Sequence, residues 1–265
     1  MRIILKKVSQ LNTSEREQLE ALIYRYYKSA SPKFISDRLE KDYGYDIVML
    51  KKGDVILGVN FYHLSKYKVS KWSRTNYVLH FGQVMKRSGY KGNIIWTLGT
   101  WYARKYISRA YLLQNVTGLA SFISPKAFEH FTHLFPRHHY HIRTAKDESV
   151  RDFILDYFNN TRGMSIEYNH DFCFDSEELK REDITEDWAK VYRAKNKAIN
   201  QLFIDSGILS VEHDRIYKMP RHITVCGIHR PLSLPRQLSL PKVAISGFTG
   251  FIGREASGQQ RPVSR

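Results

Sequence analysis

Apolar positions recur along this chain in two periods, near two and near 3.6, separated by polar and glycine-containing turns. Ile3 to Val8 reads as a short strand. Ser14, followed three residues later by Glu17, carries a capping-box signature, and Leu19, Leu22, Ile23, Tyr26 and Tyr27 then fall at helical spacing. Ser31-Pro32 opens a second helix with proline at its first position, where the missing N–H costs nothing, and Gly44 ends it. Two apolar runs, 46–50 and 55–62, flank the turn Lys52-Gly53-Asp54 and predict a hairpin. Tyr77 to Met85 is the next strand. It leads into a basic glycine loop, Lys86 to Asn93, then a helix with Ile94, Ile95, Leu98, Trp101 and Tyr102 on one side. A strand at Tyr111 to Val116 follows, then a helix opened by Ser124-Pro125. The order strand, glycine loop, helix, strand, helix is that of an α/β layered fold.

The second half is less regular. A helix is expected around Val150 to Phe158, a strand over Ser165 to Phe174, and one helix from the Asp183/Glu186 cap through Phe203. A closing strand spans His222 to Ile228. Beyond Pro231, Leu-Ser-Leu-Pro occurs twice and Gly, Ser and Gln dominate, so 231–265 reads as a basic, poorly ordered tail on a single domain, 1–230. A helical insertion is expected near 146–185.

Composition narrows the class. With 42% hydrophobic residues among 265, the chain can build a core, which excludes a disordered or collagen-like protein. Cys173 and Cys226 have no C-x-x-C neighbour, so no zinc or thioredoxin pattern exists; the two could form one disulfide, and the preferred reading is buried reduced thiols. The apolar run after Met1 is cut by Lys6 and Lys7, too short for a signal peptide, and no stretch approaches a membrane span. These features predict a soluble, cytoplasmic protein. The formal charge of +16 favours an anionic partner without choosing among nucleic acid, membrane surface and phosphate-bearing small molecules. Seven cations against one acid lie from Arg221 onward, so part of that charge belongs to the last strand and tail.

The stretch from Tyr77 to Phe135 carries the chemistry. A strand running through a glycine loop into a helix presents free N–H groups and a positive helix end to an anion. Gly89 and Gly92 allow close approach, and Lys86, Arg87 and Lys91 supply counter-charge. No Walker or dinucleotide spacing occurs. The His138, His139, His141 cluster has no acidic or cysteine partner at ligand spacing, so no metal site is expected.

This order of elements resembles the GNAT acyltransferase superfamily. Tyr90-Lys91-Gly92-Asn93 stands where that family carries Y-R-G-x-G-x-G, with only the first glycine kept and Lys91 in place of Arg; a second register begins at Arg87. Ser124 to Phe131 stands where it carries N-x-x-A-x-x-x-Y; Ala127 matches, Ser124 replaces Asn and Phe131 replaces Tyr. The resemblance implies a mixed, mostly antiparallel sheet flanked by helices. It implies acetyl-CoA or another acyl-CoA as co-substrate, held by Gln83, Val84, Met85, Arg87, Ser88, Gly89, Tyr90, Lys91, Gly92 and Asn93. It also implies attack of a neutral amine on the thioester in a ternary complex, with a strand N–H at Gln83, Val84 or Met85 stabilising the oxyanion. Phe131 cannot protonate a thiolate, which leaves Tyr102, Ser124 and Tyr140. For the base, His80 is the strand candidate, with His63 behind it. The rival readings are a nucleic-acid-binding module and a catalytically degenerate GNAT-fold binding protein.

Overall fold

The computed structural model describes residues 1–40, 44–66, 77–106, 116–135, 137–141, 143–161, 167–168 and 172–229. The expected strand at 111–116 lies mostly outside them, as do the tail and most of the basic stretch 66–74. The chain divides into two units, Met1–Ser233 and Leu234–Arg265, and the second falls outside the described residues.

The main sheet is built from β1 (Arg2–Lys6), β2 (Asp46–Lys52), β3 (Val55–Lys66), β4 (Tyr77–Lys86), β5 (Val116–Phe122), β6 (His138–His139), β7 (Cys173–Asp175) and β11 (Arg221–His229). Its order is β1-β2-β3-β4-β5-β11-β6, and β7 also pairs with β11. Every described pair is antiparallel except β4 with β5, which run parallel and are linked through helix α3 (Ile94–Tyr106). A parallel pair requires such a crossover. A smaller sheet, β8-β10-β9, joins β8 (Glu182–Asp183), β9 (Leu209–Glu212) and β10 (Arg215–Lys218). The fold class expected from the sequence is the one found: a mixed, mostly antiparallel sheet between helices.

Alternation along the strands sorts the helices by face. Helices α1 (Thr13–Tyr26) and α2 (Pro32–Leu39) bury Leu19, Leu22, Ile23, Phe34 and Leu39 against Ile47, Met49, Val59, Phe61 and Met85. On the same face, α5 (Ala145–Asp156) sets Val150, Phe153 and Ile154 on Val78, Leu119 and Cys226. The opposite face takes α3 through Leu98 and Tyr102. It also takes α4 (Pro125–Leu134), whose Phe128 and Phe131 pack on Ala120, Ile223 and Val225. Phe131 is therefore a core residue.

Several expectations need correction. The first strand stops at Lys6, and Val8–Gln10 form a 3-10 turn with Val8 buried beneath α1. Helix α1 is capped by Asn12 and Glu15, not by Ser14 and Glu17. Asn12 Oδ1 accepts from the Glu15 N–H at 2.9 Å, and Glu15 Oε2 accepts from the Asn12 N–H at 3.2 Å. The helix expected from Asp183 to Phe203 is broken. A single turn, α6 (Thr185–Asp187), passes into a π-helical turn, Trp188–Tyr192, and α7 (Lys197–Asp205) begins anew. The break has a cause: buried Glu129 on α4 accepts from the N–H groups of Lys195 at 3.0 Å and Asn196 at 2.8 Å. Residues 146–185 are likewise not all helical, since β7 and β8 follow α5. The β9–β10 hairpin has no counterpart among the expected elements. Its turn residues His213 and Asp214 have φ of 46° and 63°, the left-handed pair of a tight hairpin turn, without a glycine to announce it.

Capping also places a charge. Glu15 is buried, and its oxygens meet Lys51 Nζ at 3.1 Å and Lys6 Nζ at 2.6 Å, tying α1 to β1 and β2. Burial pushes the Glu15 carboxyl up, but the Lys6 and Lys51 hydrogen bonds prevail and hold it below its ordinary 4.5. Glu15→Gln leaves Lys51 buried without its counter-charge and should cost about 3–5 kcal/mol at neutral pH. A depressed folded value contributes stability above pH 4.5 and loses it as pH falls through that value. Urea denaturation should therefore show the gap between wild type and E15Q shrinking in acid; a gap independent of pH contradicts the assignment.

Candidate functional site

The sheet opens at the parallel pair. Of β4, only Tyr77 to Phe81 pair with β5, against Val116 to Ala120. Beyond that point Val84–Lys86 stay with β3, while Ser121 and Phe122 stay with β11. The cause lies on the β3 side, where the register shifts between Asn60/Val84 and Tyr62/Phe81 so that Phe61 faces both Gly82 and Gln83. Such a bulge bends the strand that carries the extra residue, here β4, and interrupts its ladder. Gly82 sits tightly in it: a Cβ there would lie 2.9 Å from Phe61 Cβ and 3.1 Å from Tyr45 Cε1.

The bulge determines which backbone groups face the gap. Arg87 donates its N–H back to Leu57 O at 2.9 Å, whereas the Lys86 N–H and C=O both meet the Tyr26 hydroxyl, at 3.4 and 3.2 Å. By alternation Val84 shares the side of Lys86, so its N–H points into the divergence. Among Gln83, Val84 and Met85, alternation selects Val84; the Met85 side chain is buried on the α1 face.

After β4, Arg87 to Tyr90 make a turn closed by the Tyr90 N–H to Arg87 O at 3.3 Å, with Gly89 at φ 79°, a conformation that favours glycine. Asn93 caps α3 by accepting from the Trp96 N–H at 3.1 Å. The N–H groups of Gly92, Ile94 and Ile95 meet no protein acceptor among the described residues, at the positive end of the helix. Gly92 makes room for the Tyr90 ring and hydroxyl, which would lie within 2.5 Å of a Cβ at that position. Lys86, Ser88 and Lys91 are exposed. Arg87 is turned elsewhere: its guanidinium donates to Ile56 O at 3.0 Å and Gln18 Oε1 at 3.1 Å.

The other expected residues scatter. Ser124 ends the turn after β5 and caps α4, accepting from the Ala127 N–H at 3.4 Å, so α3 and α4 both begin at the splayed ends of the parallel strands. Open α/β sheets bind ligands at that kind of position. His80 is buried one residue before the strands part, with Nδ1 3.3 Å from the Tyr45 hydroxyl and Tyr157 and Phe158 edge-on to its ring. His63 pairs across from it and contacts the Tyr157 hydroxyl at 2.9 Å. Tyr102 is buried under α3, and its hydroxyl donates to Asp46 Oδ2 at 2.6 Å; burial, then Asp46, raises its pKa. Its proton is thus committed away from the gap. Tyr140 stacks on His138 beside β6. His139 holds Asp147 Oδ1 at 2.6 Å, and its hydrogen bond with those from Thr144 and Arg143 overcomes burial to bring that carboxyl to about 2. Among the described residues no group of His, Cys, Asp and Glu could hold a metal.

Tyr26 is the residue that the sequence did not mark. Its hydroxyl caps the end of β4. Its carbonyl accepts from Lys218 Nζ at 2.9 Å and the Tyr192 hydroxyl at 3.3 Å. Lys218 is buried against Glu182, Nζ to Oε2 at 2.8 Å; burial lowers its pKa and Glu182 opposes that. Beside this tie lies a cleft of about 370 Å³ lined by Tyr24, Arg25, Tyr26, Lys28, Asp187 and Tyr192. Helical spacing had placed Tyr26 only on a core face, and nothing local distinguished it.

One parallel pair, joined through α3 within an otherwise antiparallel sheet flanked by helices, is the mixed arrangement that the resemblance implies. No family model and no curated protein matches the chain. Among solved structures, it is similar to an acyl-CoA N-acyltransferase from Pseudomonas aeruginosa: 12% identity, 51% of this chain and 86% of the other covered, TM-score 0.33. An aminoglycoside 6'-N-acetyltransferase complexed with coenzyme A shows 10% identity over 85% of this chain and 96% of its own, TM-score 0.36. A transcriptional regulator from Bacillus halodurans shows 15% identity over 50% and 91%, TM-score 0.36. These likenesses give no role to any residue of this chain. No helix among the described residues is long and apolar enough to cross a membrane.

The bulge is directly testable. Gly82→Ala forces Phe61 or Tyr45 to move and should cost about 1–3 kcal/mol in urea denaturation, as overpacking does. An unchanged midpoint would show that the bulge has slack.

Proposed function

We propose that this chain is an acyl-CoA-dependent acyltransferase that passes an acetyl or longer acyl group directly to an amine acceptor. The observation that carries the reading is the parting of β4 from β5 at the bulge, which leaves the Val84 N–H facing the gap beside the N-terminus of α3. The residues present suit a phosphorylated thioester. The amides of Gly92, Ile94 and Ile95 at the start of α3 and the exposed side chains of Lys86 and Lys91 would receive the phosphates. Arg87 serves the turn instead. The thioester supplies an activated acyl carbon and a thiolate leaving group.

In this reading the Val84 N–H is the fixed donor for the oxygen that gains charge when the amine attacks. A single such donor contributes about 10²–10³ in rate. Ser124, which caps α4 just past the end of β5, is assigned to thiolate protonation. His80 is assigned as the base, one residue before the strands part. The acceptor approaches from the cleft beside Tyr26, whose hydroxyl borders the last residue of β4.

Calorimetry with acetyl-CoA and longer acyl-CoA thioesters tests the reading. Binding is expected, and Lys86→Glu with Lys91→Glu should weaken it more than tenfold while the fold by circular dichroism is unchanged. With an amine panel, Val84→Pro should lower thiol release about 10²–10³-fold and leave coenzyme affinity intact. Absence of binding by every acyl-CoA would sink the proposal.

A further inference from the structure

Apart from the gap, a run of one-signed charge among the described residues lies where α7 and the π-helical turn pack on α4. From Trp188 to Ile204 the chain carries Lys190, Arg193, Lys195 and Lys197 and no acid. All four are exposed, while Ala194 among them is buried. A fifth cation is pinned beside them, since Lys126 on α4 donates to Lys190 O at 2.9 Å. None of the five lies within 4.0 Å of a carboxylate among the described residues. Glu129, the carboxylate beneath, is buried and already accepts from the Lys195 and Asn196 N–H groups. Asp187, just before the run, is paired with Lys28 at 3.0 Å. Crowding is visible in His130: burial lowers its pKa, Glu129 opposes that, and Lys126, His133 and Lys195 lower it further.

Like charges gathered on adjoining elements repel, and an opposite polyelectrolyte relieves them by releasing its counter-ions. The large exposed apolar residues of the described chain are Met1, Tyr24, Val55 and Val211, none of them here. The patch therefore has no apolar anchor of the kind that an interfacial membrane helix inserts. Five cations spread over α4, the π-helical turn, α7 and the segment joining the last two exceed what one phosphate can engage. We infer that Lys126, Lys190, Arg193, Lys195 and Lys197 form a docking surface for the phosphodiester backbone of a nucleic acid. Lys126 is the second residue of α4, so a bound strand runs beside the splayed ends of β4 and β5. None of the five residues belongs to the proposed acyl-transfer machinery, so the surface stands or falls separately from it.

The test is fluorescence anisotropy of labelled oligouridine with the full chain across a salt series. Lys190→Glu/Arg193→Glu/Lys195→Glu should weaken binding more than tenfold and reduce the salt slope by about 2, at ~0.7 per phosphate contact on a single strand. The matched set Arg2→Glu/Lys33→Glu/Lys52→Glu, with the same net charge, should lose far less; the cations beyond Pro231 are common to both. If the charge-reversed set misfolds, the glutamine set at the same three positions takes its place. Equal loss in both sets would reduce the effect to net charge. Displacement of the RNA by free coenzyme A would make the patch a coenzyme subsite. Binding to phosphatidylserine vesicles but not to RNA would assign a membrane instead. Each of these outcomes overturns the inference.

Discussion

One extra residue in β4 governs the arrangement around it. Because Phe61 faces both Gly82 and Gln83, the strand cannot stay parallel to β5 past Phe81. The parting leaves backbone polar groups in mid-sheet without a ladder partner, which a folded chain tolerates only where something else meets them. Tyr26 meets those of Lys86. The groups of Val84 are left facing the opening. The loop after β4 and the caps of α3 and α4 then gather at the same end because both strands of the parallel pair finish there.

Buried ions fix the helices around that opening. Glu15 holds the start of α1 to β1 and β2 through Lys6 and Lys51, and Lys218 holds its end through the Tyr26 carbonyl. A cation at a helix C-terminus is favourable, and here it is also desolvated and paired with Glu182. Helix α1 is thus held at both ends by charges that are costly to expose. Its tyrosine therefore meets β4 in one position.

Much of the fold was legible because its signals are local. Ser31-Pro32 and Ser124-Pro125 start helices where the sequence says they do, and Lys52-Gly53-Asp54 turns the first hairpin. The misses share one physical origin: long-range partners overrule local pattern. Glu129 breaks an otherwise continuous helical spacing by taking the N–H groups of Lys195 and Asn196. Gln18 and Ile56 draw Arg87 out of a loop where its charge looked available. The bulge left no trace, since Gly82-Gln83 reads as ordinary strand until Phe61 is set against it. Tyr102 had the right chemistry for a proton donor, and Asp46, 56 residues earlier in the chain, claims the proton.

The single residue Tyr26 joins three elements: its hydroxyl meets β4, and its carbonyl meets Lys218 on β10 and Tyr192 on the π-helical turn. Swinging α1 away from β4 would take one of two acceptors from a buried ammonium and uncap a strand end in one movement. The width of the opening on that side is therefore set when the chain folds, before any ligand arrives. On the proposed reading, an acceptor entering there meets a wall already ordered, so selection among acceptors falls to size and shape.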